Sequence, residues 1–252
     1  MYKILNDLLS DKKGEIIFNV LGIWHLAYLL IFLFVFIFIL LVLKNKDYLI
    51  KEKVINITIN FAFILYILDF FLMPFSYQYI DIEKLPFHIC TITCVLCFLS
   101  RHNSFFNKFK YEFAILGLIG NLIYLFYPAG VGWYQIHPLS YRVVQTLLYH
   151  FVMSSYGLFT LMYEKPKLEI KKSIRMLIIV IILVVWALLG NTLYNGTYKE
   201  YDHFFNWLFV VRDPFYILPI EIAKFIMPIF MIIFLYSLSI LVYFIYNKLR
   251  RE

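Results

Sequence analysis

The chain has 252 residues, 63% of them hydrophobic and only 15% charged, against roughly 45–50% apolar in soluble domains, so a water-soluble fold is excluded. Its net charge of +7 does not indicate nucleic acid, because Lys and Arg stand in short clusters between apolar runs instead of forming a basic face interleaved with aromatics. Cys90, Cys94 and Cys97 share one apolar segment, which argues against a disulfide framework, and nothing around them has the spacing of a metal site or a cofactor motif.

The pattern predicts an all-α, polytopic membrane helix bundle, a single membrane domain over residues 1–252 with about seven transmembrane helices. The N-terminus lacks a short apolar core followed by a small-residue cleavage site, so no cleaved signal is expected. Spans are predicted near Ile16–Leu43, Val54–Phe75, Leu85–Ser100, Tyr111–Pro128, Tyr141–Tyr163, Ser173–Gly196 and Ile217–Tyr246. The third has a short apolar core and opens on Pro86, which suits a first helical turn because a missing N–H costs nothing there. Gly and Pro punctuate the stretch from Ala129 to Ser140, marking a loop folded over one end of the bundle.

Connections on one side of the membrane hold about fourteen Lys and Arg residues, those on the other about six, and cytoplasmic loops carry the excess. The N-terminus is therefore expected outside and the C-terminus inside a cell membrane. With direction assigned and a rise of about 1.5 Å per residue, the intramembrane polar residues fall at or outward of the midplane. They are His25, Asp69, His88, Cys90, Asn121, His150, Asn191 and the pair Glu221 and Lys224. Ionisable groups at one depth on many helices imply a shared cavity, expected to open toward the outer leaflet, with the inner halves almost wholly apolar.

Each residue also has a packing role to weigh. His25, Cys94 and Cys97 read as structural, while His150, about 14 Å along its helix from Tyr141, is too deep for an interfacial role. Asp69 suits either an ion pair or the orienting of an imidazole. Glu221 and Lys224, three apart, suit mutual pairing. Asn121 and Asn191 suit helix–helix contact, ligand binding or donation to an oxyanion. A thiol and an imidazole at one depth permit acyl transfer through a thioester. His88 and Cys90 are two apart and diverge by about 200° on a helix, so Cys90 needs a base from elsewhere, and His150 suits by depth.

The segments LPFHIC (Leu85 to Cys90), YRVVQTLLYHFVMSSYGLFTLMY (Tyr141 to Tyr163), GNTLYNGTY (Gly190 to Tyr198) and DPFYILP (Asp213 to Pro219) together resemble the YwaF-like bacterial membrane proteins, related to the eukaryotic transmembrane protein 164. The resemblance covers nearly the whole chain in order. It implies a lipid acyltransferase working through a cysteine acyl intermediate, with His88, Cys90 and His150 at its site. Thr197 and Tyr198 stand where that pattern has an Asn-Tyr pair. The expected function is thus a membrane acyltransferase or related lipid hydrolase without metal or cofactor, its partners membrane lipids. The alternatives are a solute transporter or substrate-binding membrane subunit, disfavoured by the apolar inner halves, and a non-catalytic scaffold.

Overall fold

The computed structural model describes residues 15–77, 82–132, 135–197, 205–215 and 217–250. Seven helices of 14 residues or more occur among them: α1 (Ile23–Leu43), α2 (Tyr48–Tyr77), α3 (Ile89–His102), α4 (Lys110–Phe126), α5 (Tyr141–Glu164), α6 (Ile174–Thr197) and α7 (Ile220–Leu249). No strand occurs among the described residues. Five segments, carried by α1, α2, α4, α6 and α7, are long and apolar enough to cross a membrane. The helices α3 and α5 fall outside that set for different reasons. The former has only 14 residues, about 21 Å of rise against a hydrocarbon core of about 30 Å. The latter has 24 residues but spends many of them on buried polar side chains, among them Gln145, Thr146, His150, Ser154 and Thr160.

The chain forms two compact units, residues 1–81 with 94–165, and residues 82–93 with 166–252. In the first, α5 is the central helix, packed against α4, α2 and α1. It approaches α4 closely because Gly157 has no side chain. A Cβ there would stand 2.7 Å from Leu118 Cβ and 2.8 Å from the Ala114 carbonyl. By contrast α1, almost wholly apolar, buries only His25 and Leu43, as a lipid-facing helix should. Its helical turns start at Ile23 instead of near Ile16. Residues 16–22 are irregular, with the Phe18 N–H donating to Ile136 O at 2.8 Å and Leu21 at φ 60°.

The loop after α4 covers that end of the first unit. Phe18, Leu125, Val131, Ile136, Val143 and Leu147 form one buried cluster, and the Tyr28 hydroxyl donates to Pro138 O at 2.8 Å. At the opposite end of α5, just past the predicted spans, lies a buried ion cluster. The Arg101 guanidinium and the Lys110 ammonium both pair with Glu164, the Arg101 and Glu164 side chains being only 6% and 2% exposed. Arg101 also donates to the Tyr156 and Thr160 hydroxyls. Buried charge persists there because every partner is supplied within the protein.

In the second unit α6 packs on α7 and on the segment around Trp207–Phe209. Phe87 lies against α6 at Gly190, where a Cβ would meet its ring at 2.5 Å. Tyr198, and among the counted cations Lys3, Lys12, Lys13, Lys199 and Arg251, lie outside the described residues.

The two close approaches differ in what would have to yield. Gly157→Ala pushes on backbone and is expected to destabilise by about 1–3 kcal/mol, the range for overpacking, with no side-chain change relieving it. Gly190→Ala pushes on a ring, and Phe87→Leu in the same chain is expected to restore much of the loss. Thermal melting in detergent of the two single variants and the double variant checks both outcomes.

Candidate functional site

The four segments carrying the resemblance divide between the units, and each has a local physical reason. In the second unit, Leu85–His88 forms a tight turn, with the Leu85 N–H donating to Ile82 O and the Phe87 N–H to Leu85 O. The first turn of α3 follows, closed by Ile92 N–H donating to His88 O at 2.9 Å. Cys90 is the second residue of that helix, is partly buried and is in no disulfide. It thus sits where the partial positive charge of a helix N-terminus favours an anion.

The turn is anchored by aromatics and amides. The Phe87 ring packs against Trp186 at 5.0 Å and Trp207 at 4.9 Å, and Trp186 Nε1–H donates to Pro86 O at 2.8 Å. Asn191 Nδ2 donates to Ala187 O at 2.8 Å and to Trp207 O at 3.0 Å, while its Oδ1 accepts from Trp207 N–H at 2.9 Å. One turn later Asn195 repeats the arrangement on Phe205, donating to its carbonyl at 2.9 Å and accepting from its N–H at 2.8 Å. The two asparagines are four apart and so share a helix face, which reads the Phe205–Trp207 backbone like a neighbouring strand. Both Asn191 amide hydrogens are committed, and of the roles open to it in the sequence this is the structural contact, holding the Trp207 backbone.

That chain is strained. Leu208 and Phe209 have φ of 56° and 53°, in the left-handed region that non-glycine residues avoid. The Leu208 N–H donates to His88 Nδ1 at 3.4 Å, so the ring proton of neutral His88 is on Nε2. Past this point Asp213 is buried and accepts from the N–H groups of Phe215, Ile217 and Leu218, which explains its place at the head of DPFYILP. Those donors, Leu218 foremost, hold its carboxyl below the usual carboxylate range.

In the first unit Asn121 meets His150, which is 6% exposed. Asn121 is fully buried and its Nδ2 donates to Gly117 O at 2.7 Å, which fixes the amide orientation and turns Oδ1 toward His150 Nδ1 at 2.7 Å. That oxygen can only accept, so Nδ1 carries the proton and the basic lone pair lies on Nε2. Tyr124, one turn along α4 from Asn121, stacks on the imidazole with centroids 3.9 Å apart, and Tyr149 meets it edge-on at 5.2 Å. Asp69, 3% exposed, accepts from the Tyr141 hydroxyl. His25, fully buried, accepts from Leu21 N–H at Nδ1 and donates from Nε2 to Leu125 O at 2.8 Å, a structural pattern that occupies both nitrogens. Cys94 and Cys97 are buried and in no disulfide.

Two expected members do not join a buried set. Glu221 and Lys224 are exposed on the first turns of α7, and Lys224 lies over the Phe225 ring at 5.4 Å. A carboxylate in the first turn of a helix is stabilised by the helix dipole without a cavity. The remaining residues fall as His150, Asn121 and Asp69 in the first unit and His88, Cys90 and Asn191 in the second. Sequence reasoning missed Tyr124 and Asn195, although both stand at helical spacing from residues it named. It also missed the buried Arg101, Lys110 and Glu164 cluster, whose members are far apart in sequence. No group of three or more His, Cys, Asp or Glu residues suited to a metal occurs among the described residues.

Helical architecture throughout the described residues and five helices apolar enough to cross a membrane define an integral membrane protein. The chain belongs to the TMEM164 family, whose model matches residues 20–247. No curated relative and no solved structure matches it.

The Asp213 carboxylate is expected to impart a specific pH dependence. Its lowered pKa means that its contribution to stability is complete above the ordinary carboxylate value, about 4, and fades as pH falls through its lower folded value. The melting temperature of the wild type should exceed that of Asp213→Asn at pH 6, and the gap should close below the ordinary carboxylate range. A gap independent of pH would exclude this role.

Proposed function

We propose that the protein is a membrane-embedded acyltransferase, or related lipid hydrolase, in which Cys90 is the nucleophile and His150 the base. The observation that carries this reading is the Asn121 contact, which orients a buried imidazole with its basic lone pair on Nε2. His25 uses both nitrogens in structural bonds, and His88 accepts at Nδ1 from Leu208. Family membership and the position of Cys90 at a helix start support the assignment of the thiol.

The proposal includes seven crossings, with the N-terminus outside, the C-terminus inside and the site open to the outer leaflet. In it α5 crosses despite its polar residues, because a central helix needs little lipid-facing surface. In the first half-reaction Nε2 takes the thiol proton, the thiolate attacks the ester carbonyl carbon and the carbon–oxygen bond breaks. The departing alkoxide takes the proton from the imidazolium, leaving a thioester. In the second, Nε2 removes a proton from an acceptor hydroxyl or water, that oxygen attacks the thioester, and the thiolate leaves and is reprotonated.

Full-length protein in liposomes with a phospholipid labelled in its acyl chain is expected to acquire a hydroxylamine-sensitive label. The label should be absent in Cys90→Ala and retained in Cys94→Ala and Cys97→Ala. In His150→Ala it should form at least about 100-fold more slowly, the low end for loss of a general base, and Asn121→Leu should be intermediate. Full lipid turnover by Cys90→Ala would overturn the nucleophile assignment.

A further inference from the structure

A cleft in the second unit lies between the connection preceding α6 and the last turn of α7, lined by Lys167, Glu169, Ile170, Lys171, Asn247 and Arg250. Hydrogen bonds build it. Asn247 Nδ2 donates to Leu168 O at 2.7 Å, the Tyr246 hydroxyl donates to Pro166 O at 3.0 Å, and Arg250 Nη1 donates to the same carbonyl at 3.1 Å. The Arg250 guanidinium also sits 5.8 Å from the centre of the Tyr246 ring, so its fork is held in one orientation. Three cations and one carboxylate line the hollow, a net of two positive charges by count. A cleft lined mainly by one sign concentrates the potential and attracts counter-ions.

The flanks of this cleft are apolar. Ile170, which lines it, is 51% exposed, and Leu249, beside Arg250 in sequence, is 68% exposed. Both adjoining helices, α6 and α7, belong to the five that are apolar enough to cross a membrane. A cationic hollow at the end of such helices, with outward apolar residues beside it, matches an anion joined to a hydrocarbon tail. The shared chemistry is a phosphate group, and the apolar flank favours the lipid form over a free ion. We propose that this cleft binds the phosphate headgroup of an anionic phospholipid. Lys171 and Arg250 are the principal contacts, and a guanidinium held in this way offers bidentate geometry to phosphate. The site is separate from the proposed Cys90 and His150 chemistry and does not depend on it.

Full-length protein in neutral detergent, titrated with phosphatidylglycerol or with phosphatidylcholine and read by native mass spectrometry, tests the assignment. Selective retention of phosphatidylglycerol is expected, weakened about fivefold for each cation removed, in line with the usual contribution of a Lys or Arg at an anionic surface. Lys171→Gln and Arg250→Gln should each show that loss and the double variant the product of the two. Arg250→Lys should also lose affinity, because an ammonium cannot reproduce the fork. The pair Lys44→Gln with Lys46→Gln, removing two cations between α1 and α2, should bind as the wild type does. Equal weakening in that control, or equal retention of the two lipids, would overturn the proposal in favour of diffuse surface charge. Displacement of the lipid by excess inorganic phosphate would overturn the lipid assignment in favour of a free anion. Lys171 has no part in the bonds that build the cleft, so Lys171→Gln still decides the matter if Arg250→Gln melts early.

Discussion

A polar group surrounded by hydrocarbon has no water to bond to, and leaving it unpaired costs several kcal/mol. Much of what is unusual in this chain meets that constraint. The asparagines show it most directly. Asn121 spends its amide on the Gly117 carbonyl and the His150 imidazole, and Asn191 and Asn195 spend theirs on the Trp207 and Phe205 backbone. Each covers a polar group that would otherwise stand open, so irregular backbone after α6 is possible because the helix beside it supplies the partners. The same rule accounts for the ion cluster of Arg101, Lys110 and Glu164, where two cations share one carboxylate and tyrosine and threonine hydroxyls take further donors.

Satisfying a side chain also fixes its chemistry. An imidazole whose Nδ1 faces an amide oxygen has one tautomer available when neutral, and the lone pair then points from the other side of the ring. In His150 this is reinforced by the stacked Tyr124, which restricts the ring plane, and by Tyr149 at its edge. The elements that hold the ring, α4 and α5, also approach closely at Gly157. Packing, hydrogen bonding and orientation of the base are therefore one arrangement seen at three levels.

Most of the helices were legible in the sequence, because runs of about 20 apolar residues have few other uses, and the predicted segments overlap all seven long helices. Burial within the bundle was less legible, since in lipid an apolar residue faces outward as readily as inward. Polar residues carry the missing information, and they did so for Asn121, His150 and Asp69, all buried as expected. Glu221 and Lys224 are exposed on α7, and depth along a helix says nothing about which face a residue occupies. At Asn191 the choice among its possible roles was not legible, because its partner, the Trp207 peptide, is a backbone group with no mark in the sequence. The Arg101 and Glu164 pair joins residues 63 apart, and such closure is set by how α3 and α5 pack rather than by any local pattern.

The strained pair after α6 shows how far these effects combine. Leu208 and Phe209, in consecutive left-handed conformations, should together cost about 2–4 kcal/mol. Against that stand two hydrogen bonds from Asn191 to Trp207, two from Asn195 to Phe205, and three around Asn206, which donates to Arg212 O and accepts from the Val211 and Arg212 N–H groups. At about 1 kcal/mol each these seven exceed the strain, and the burial of Trp207 and Leu208, 1% and 2% exposed, adds to them. The segment is thus held rigid although it is irregular. Rigidity there has a consequence for the Leu85 to Cys90 turn, because Trp207 packs on Phe87 and Leu208 donates to His88. The strain buys a fixed seat for the two residues that precede the start of α3, and with it a fixed direction for the helix turn that carries Cys90.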